Sequence, residues 1–180
     1  MQQLTDEGYK ITMKKALFII AFEKFRDEEY QQPREELEKA GIGVTVASTR
    51  LGTATGKLGL KTKVDLLLDD VQAADYDALV LVGGPGCYDY YEDERVLNLV
   101  RAFNLAGKVT AGICSAAAIL GIAGILKGKK ATVFPGEAER LKAAGAIYNA
   151  RGLEVDGNII TADGPGNARR FGSAIVTALS

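Results

Sequence analysis

The 180-residue chain has no histidine and no tryptophan, and it has only two cysteines, Cys87 and Cys114. Two cysteines are too few for the disulfide framework of a small secreted protein, so we expect a reducing, cytoplasmic environment. Because histidine is absent, a nucleophilic cysteine in this chain must work without the imidazole base that usually activates one.

The chain also lacks an excess of either charge and any long apolar run. Its 22 basic and 23 acidic residues leave a formal net charge of −1, which offers no basic field for nucleic acid. No apolar run reaches membrane-spanning length, and the polar first ten residues lack the apolar core of a signal peptide. We therefore expect a cytoplasmic globular protein that binds neither nucleic acid nor membrane.

Apolar, strand-like runs alternate with helical segments along the chain. The predicted strands include residues 16–21, 43–48, 78–82, 108–113 and 158–162. The predicted helices include residues 26–40, 92–106, 115–126, 137–144 and a last helix through Leu179. Residues 49–70 are predicted to form a hairpin or small edge strands, and Pro33 should kink helix 26–40 or shift its start.

This alternation predicts a mostly parallel sheet with helices on both faces. The length suits a single domain, which we assign to residues 13–180, and residues 1–12 are assigned to an N-terminal extension or tail. In such sheets ligands bind beyond the carboxyl ends of the strands.

Cys114 lies where predicted strand 108–113 meets predicted helix 115–126. A sharp strand-to-helix turn resembles a nucleophile elbow, which lifts one reactive atom above the end of the sheet. The unpaired N–H groups and the positive dipole at a helix start should favour the thiolate. Cys114 is therefore the candidate nucleophile.

A glycine-rich segment, Gly83 to Gly86, directly follows predicted strand 78–82. Paired glycines let backbone amides approach a bound oxygen, so Gly83 and Gly84, together with the amide of Ser115, could form an oxyanion pocket. The alternative is a tight turn that merely needs glycine.

Two adjacent acids, Glu28 and Glu29, lie near the start of predicted helix 26–40. A carboxyl group here could project over the strand ends toward the Cys114 sulfur, but only one of the two can point inward if the segment is helical. Capping of the helix dipole is the alternative interpretation.

Cys87 follows the glycine-rich segment, and it could act as a resolving partner of Cys114 or be a buried small side chain. Three tyrosines in the same region could line a pocket or cap a dimer interface. They are Tyr88, Tyr90 and Tyr91.

A series of motifs runs through the chain: F-x-D-E-E-Y-x-x-P, L-V-G-G-P-G, A-G-I-C-S-A, L-K-G-K-K-A-T and D-G-N-I-I-T-A-D-G-P-G. Their order and spacing over about residues 14–179 resemble the ThiJ/PfpI superfamily, which includes the Parkinson-linked protein deglycase and the PfpI-type intracellular proteases. The resemblance implies a flavodoxin-like three-layer α/β/α sandwich, similar to class I glutamine amidotransferases, with a Cys nucleophile elbow. It also implies a homodimer or a larger homo-oligomer.

The resemblance assigns the nucleophile to Cys114 and its acidic partner to Glu29, which lies four residues before Pro33. It assigns the conserved glycine pair to Gly83 and Gly84. In related proteins a protonated glutamate hydrogen-bonds the cysteine sulfur, so the resemblance implies a Glu29–Cys114 pair.

The chain departs from this family at two positions. PfpI-type members have histidine where this chain has Ser115, and deglycase-type members have histidine where it has Phe134. Another copy of the chain cannot supply a histidine either, so a Cys-His protease mechanism is excluded. We expect a small-molecule enzyme without metal or cofactor that acts on reactive carbonyls by glyoxalase or deglycase chemistry. The alternatives are a redox-sensing or stress-response protein that works through cysteine oxidation, and another hydrolase or hydratase of the same fold.

Overall fold

A central sheet of seven strands organises the part of the chain that the computed structural model describes, which is residues 2–4 and 10–180. The strands are Gln2–Leu4 (β1), Lys10–Thr12 (β2), Lys15–Ile19 (β3), Glu23–Phe25 (β4), Gly43–Ser48 (β5), Gly52–Gly56 (β6), Lys61–Val64 (β7), Leu66–Leu67 (β8), Ala78–Leu81 (β9), Val109–Ile113 (β10), Lys130–Ala131 (β11), Ile147–Tyr148 (β12), Leu153–Asp156 (β13) and Ile159–Ala162 (β14). The helices are Asp27–Lys39 (α1), Glu94–Leu105 (α2), Ala117–Ile122 (α3), Ala138–Ala143 (α4) and Ala168–Leu179 (α5).

The central sheet has the order β13-β14-β10-β9-β3-β5-β8. All of its pairings are parallel except that of β13 with β14 at one edge. Strands β9, β10 and β14 are buried along their whole length, as expected for parallel strands that are covered on both faces. The predicted mostly parallel sheet is confirmed.

Alternate residues of the sheet feed two separate apolar cores. Leu17 and Ile19 of β3 pack with α2 and α3 on one face, whereas Phe18 packs with α1 and α5 on the other. Helices α1 and α5 approach closely, because a Cβ added at Gly172 would lie 2.7 Å from the Cα of Pro33. This arrangement confirms the three-layer α/β/α sandwich.

The predicted segments agree with the structure except at particular places. Pro33 lies inside α1 and does not shift its start, and its missing N–H removes one bond of the helix; of the two expected effects, the kink stays a prediction. Predicted helix 115–126 is shorter, because α3 ends at Ile122, just before Gly124 adopts a left-handed φ of 88°.

The segment after β5 contains the expected hairpin, formed by β6 and β7, and the expected edge strand β8. Strand β4 pairs with β6 in parallel, which ties the entrance of α1 to the hairpin. At the N-terminus β1 pairs with β2, and residues 1 and 5–9 of the predicted extension lie outside the described residues. The division of the chain at residues 12 and 13 stays a prediction.

Candidate active site

Cys114 is the residue at which the chain turns from β10 into the helical segment behind it. Its φ is 59°, in the left-handed region that residues with a side chain rarely adopt. Such a conformation costs about 1–3 kcal/mol and persists only where the surrounding structure holds it in place. A strand, a strained cysteine and a helical turn in this order form the nucleophile elbow that the sequence predicts.

Two hydrogen bonds hold the elbow in this strained shape. The Phe134 amide donates to the carbonyl oxygen of Cys114 at 3.3 Å. The buried Tyr91 hydroxyl donates to the carbonyl oxygen of Ser115 at 2.7 Å. Neighbouring segments therefore fix the backbone on both sides of the Cys114 side chain.

Glu29 lies in the first turn of α1 and is fully buried. A Cβ added at Gly83 would collide with its Oε2 atom and would lie 2.8 Å from the Cβ of Cys114. Both side chains therefore meet against the Gly83 backbone, which leaves them room only because Gly83 has no side chain. Glu28 forms an ion pair with Arg26, at 2.7 Å between its Oε2 and the arginine Nε. Of the two adjacent acids, Glu29 is thus the one that faces the thiol.

The carboxyl group of Glu29 has little stabilisation for a negative charge. Neither oxygen has a hydrogen-bond partner among the described residues. Burial raises the pKa of Glu29 to about 7, although the nearby Cys114 thiol and the positive charge of Arg26 oppose that rise. This carboxyl group can therefore both accept and donate a proton near neutral pH.

The thiol of Cys114 is partly buried beside this carboxyl group. Burial raises its pKa to about 12, and the negative charge of Glu29 acts in the same direction. Burial and the neighbouring carboxyl group therefore act against the thiolate that the helix start was expected to favour. Helix α3 has only six residues, and its dipole and the contacts from Ser115 do not offset the lost solvation.

A cavity of about 430 Å³ opens above Cys114 and Glu29, beyond the carboxyl ends of β9 and β10. Its lining residues are Arg26, Glu29, Lys57, Gly84, Pro85, Tyr88, Cys114, Ser115, Phe134 and Pro165. This is the edge of the sheet at which ligands of parallel α/β proteins bind. The structure thus brings Cys114, Glu29, Gly84 and Ser115 to one cavity, whereas Gly83 is not among the residues that line it.

Gly84 must be glycine on two separate grounds. Its φ is 106°, and an added Cβ would collide with the amide nitrogen of Arg26. The Arg26 amide in turn donates to the carbonyl oxygen of Gly83 at 2.8 Å, which fastens the loop to the entrance of α1. The Gly84 amide donates no backbone hydrogen bond among the described residues, so it is free to bind a ligand oxygen.

The cysteine and the tyrosines after this loop have separate places. Cys87 is fully buried, and burial raises its pKa to about 12, which favours the interpretation as a packed core side chain. The Tyr90 hydroxyl donates to the Ile20 carbonyl oxygen in the core, and Tyr91 supports the elbow. Of the three tyrosines, Tyr88 lines the cavity.

Sequence reasoning missed the two cations of the cavity, Arg26 and Lys57. Arg26 stands inside the first motif, so its place beside Glu29 could have drawn attention to it. Lys57 lies in the turn between β6 and β7, and it reaches the cavity only because β6 pairs with β4. No motif in the sequence marks that pairing.

Known proteins match the chain along most of its length. The family model of the DJ-1/PfpI family matches residues 14–178. An uncharacterized protein of Methanocaldococcus jannaschii is 46% identical over 168 residues, which are 92% of this chain and 82% of that protein. The deglycase PH1704 of Pyrococcus horikoshii is 38% identical over 84% of this chain and 90% of its own length. The crystal structure of a ThiJ/PfpI domain protein from Brachyspira murdochii superimposes with a TM-score of 0.91 at 36% identity, covering 93% of this chain and 96% of that one. The chain therefore belongs to the DJ-1/PfpI family.

Proposed function

We propose that this protein acts on small reactive carbonyl compounds by glyoxalase or deglycase chemistry. Cys114 is the nucleophile, and Glu29 accepts and returns the proton. The observation that carries the proposal is a buried carboxyl group with a pKa of about 7 beside a thiol at the floor of a cavity, in a chain without histidine. The 38% identity to a protein named a deglycase supports the same chemistry.

The first step is the attack of the thiol on an aldehyde. The Cys114 sulfur forms a bond to the carbonyl carbon while its proton passes to the Glu29 carboxylate. The carbonyl oxygen becomes an oxyanion, and the amides of Gly84 and Ser115 are the donors that would stabilise it. Return of the proton from Glu29 to this oxygen completes a neutral hemithioacetal.

The later steps need no oxidant or cofactor when the substrate is a 2-oxoaldehyde. The aldehyde carbon is oxidised while the neighbouring ketone carbon is reduced, so methylglyoxal and water together give lactate. Glu29 is the proton-carrying group next to the sulfur, and its pKa near neutrality suits repeated transfers in both directions.

Lactate formation from methylglyoxal tests the proposal. We expect Cys114→Ala to abolish turnover, and Glu29→Gln to lower it by about 10²-fold or more, because general acid–base catalysis contributes about 10²–10⁴-fold. Cys87→Ala is the matched control, since Cys87 is the other thiol and lies in the core, and we expect its turnover to be retained. Equal turnover by the wild type and by Cys114→Ala would overturn the proposal.

The surroundings of Cys114 favour this function over redox sensing. Peroxide oxidises the thiolate, and burial beside Glu29 raises the pKa of the thiol to about 12. Mass spectrometry after mild peroxide treatment separates the two hypotheses. Rapid and selective conversion of Cys114 to the sulfinic acid would favour the sensor.

A further inference from the structure

Two cationic side chains, Arg26 and Lys57, line the cavity above Cys114. They come from segments that are held together, because the Lys57 amide donates to the Phe25 carbonyl oxygen at 2.8 Å. The Asp27 carboxylate fixes the same turn, because it accepts hydrogen bonds from the backbone amides of Leu58 at 3.0 Å and Leu60 at 2.8 Å. The position of Lys57 at the cavity is therefore set by the start of α1.

The charges around the cavity do not cancel. Arg26 is paired with Glu28, and it also lies close enough to Glu29 for the charge of that carboxyl group to act on it. Lys57 is exposed, and it forms no ion pair among the described residues. The acid that lines the cavity is Glu29, which is only partly ionised near neutral pH. Lys57 thus leaves one uncompensated positive charge at the cavity.

The remaining wall of the cavity is largely apolar. Tyr88 and Phe134 line it, and both side chains are exposed to solvent there. Pro85 and Pro165 complete this wall. A volume of about 430 Å³ holds a molecule larger than a three-carbon carbonyl compound. A neutral three-carbon compound would also leave both cations without a partner.

We propose that Arg26 and Lys57 form an anion subsite, and that the protein prefers carbonyl compounds carrying a carboxylate or phosphate group over neutral ones. The preference in turnover rests on the proposed function, whereas the binding of an anion next to Cys114 does not. Lys57 supplies the unpaired charge, and Arg26 adds a second cation on the side of Glu29.

Alkylation of Cys114 measures the subsite without any turnover. Iodoacetate and iodoacetamide form the same kind of thioether and release iodide, but only iodoacetate is negatively charged. The ratio of their rate constants, read by mass spectrometry of the Cys114 peptide, cancels changes in the reactivity of the thiol itself.

We expect Lys57→Gln to lower the iodoacetate-to-iodoacetamide ratio by about threefold at low salt, because unit charges several ångströms apart interact weakly in water. Lys61→Gln is the matched control, since Lys61 is exposed on the same hairpin but lies outside the cavity lining; its ratio should equal that of the wild type. An unchanged ratio in Lys57→Gln would overturn the subsite.

Added anions that protect Cys114 from alkylation by iodoacetamide show which class of anion the subsite binds. Stronger protection by benzoate than by phenyl phosphate assigns the subsite to carboxylates, and the reverse order assigns it to phosphates. Equal protection by neutral benzamide would overturn the proposal.

Turnover of phenylglyoxal and 4-carboxyphenylglyoxal separates the subsite from the proposed function. We expect the wild type to prefer the carboxylate, and Lys57→Gln to lose about threefold of that preference. Alkylation that depends on Lys57 without turnover of either compound supports the subsite and contradicts the proposed function. Turnover of both compounds with the same preference in the wild type and Lys57→Gln contradicts the subsite and leaves the function standing.

Discussion

Replacement of Glu29 by glutamine should stabilise the protein at alkaline pH. The carboxyl group is fully buried, and burial raises its pKa from 4.5 to about 7. One unit of pKa difference between the folded and the unfolded chain corresponds to about 1.4 kcal/mol, so ionised Glu29 costs the folded state about 3 kcal/mol above pH 7. Glutamine nearly matches the shape of the side chain and carries no charge, so this cost disappears.

The pH range of the effect follows from the direction of the shift. Between pH 4.5 and about 7 the folded chain holds a proton on Glu29 that the unfolded chain has already released. The free energy of unfolding of the wild type therefore falls as the pH rises through this range and levels off above it. From pH 5 to pH 8 the wild type should lose roughly 2–3 kcal/mol relative to Glu29→Gln.

Urea denaturation of both proteins at pH 5 and pH 8 measures this difference. Glu28→Gln is the control, because Glu28 is paired with Arg26 at the protein surface and that contact lowers its pKa. The control should not share the gain in stability at pH 8. If the wild type and Glu29→Gln show parallel pH dependences, Glu29 does not hold its proton to about pH 7, and its role as proton carrier fails with it.

Three further predictions concern the same site. Gly83→Ala should lower methylglyoxal turnover by at least tenfold, because its Cβ would collide with Glu29 and with the carbonyl oxygen of Ile113; circular dichroism measures any loss of fold, and wild-type turnover would contradict the contact. Tyr91→Phe should lower kcat rather than raise KM, because it removes the 2.7 Å bond to the Ser115 carbonyl oxygen, and a change in KM alone would contradict a positioning role. The kcat/KM of the wild type should rise with pH through about 7 as Glu29 becomes able to accept the thiol proton, whereas Glu29→Gln should lack this rise.

The sheet and the nucleophile elbow could be predicted because each depends on local sequence. The apolar runs of β3, β9 and β10 are short, continuous and bounded by turn residues, and their burial on both faces follows from that pattern. Cys114 falls at such a boundary, so its position above the sheet is already visible in the chain.

The cavity depends on contacts between distant segments, which no local pattern reveals. Lys57 reaches it through the pairing of β4 with β6, and the choice between Glu28 and Glu29 depends on how α1 is rotated against Gly83. The partial burial of Cys114 could not be predicted for a similar reason. A helix start is visible in the sequence, whereas the burial that outweighs its dipole is a property of the packed structure.

The proposed partnership of Glu29 and Cys114 also accounts for proton transfer in a site without histidine. An ordinary histidine has a pKa of about 6.5, and burial brings the Glu29 carboxyl to about 7, so both groups exchange protons in the same pH range. Their charges differ, however. A protonated imidazole is a cation that stabilises a neighbouring thiolate, whereas an ionised carboxylate repels one. Glu29 and Cys114 therefore cannot both be ionised without repulsion, and the pair holds a proton that is available when a substrate is attacked.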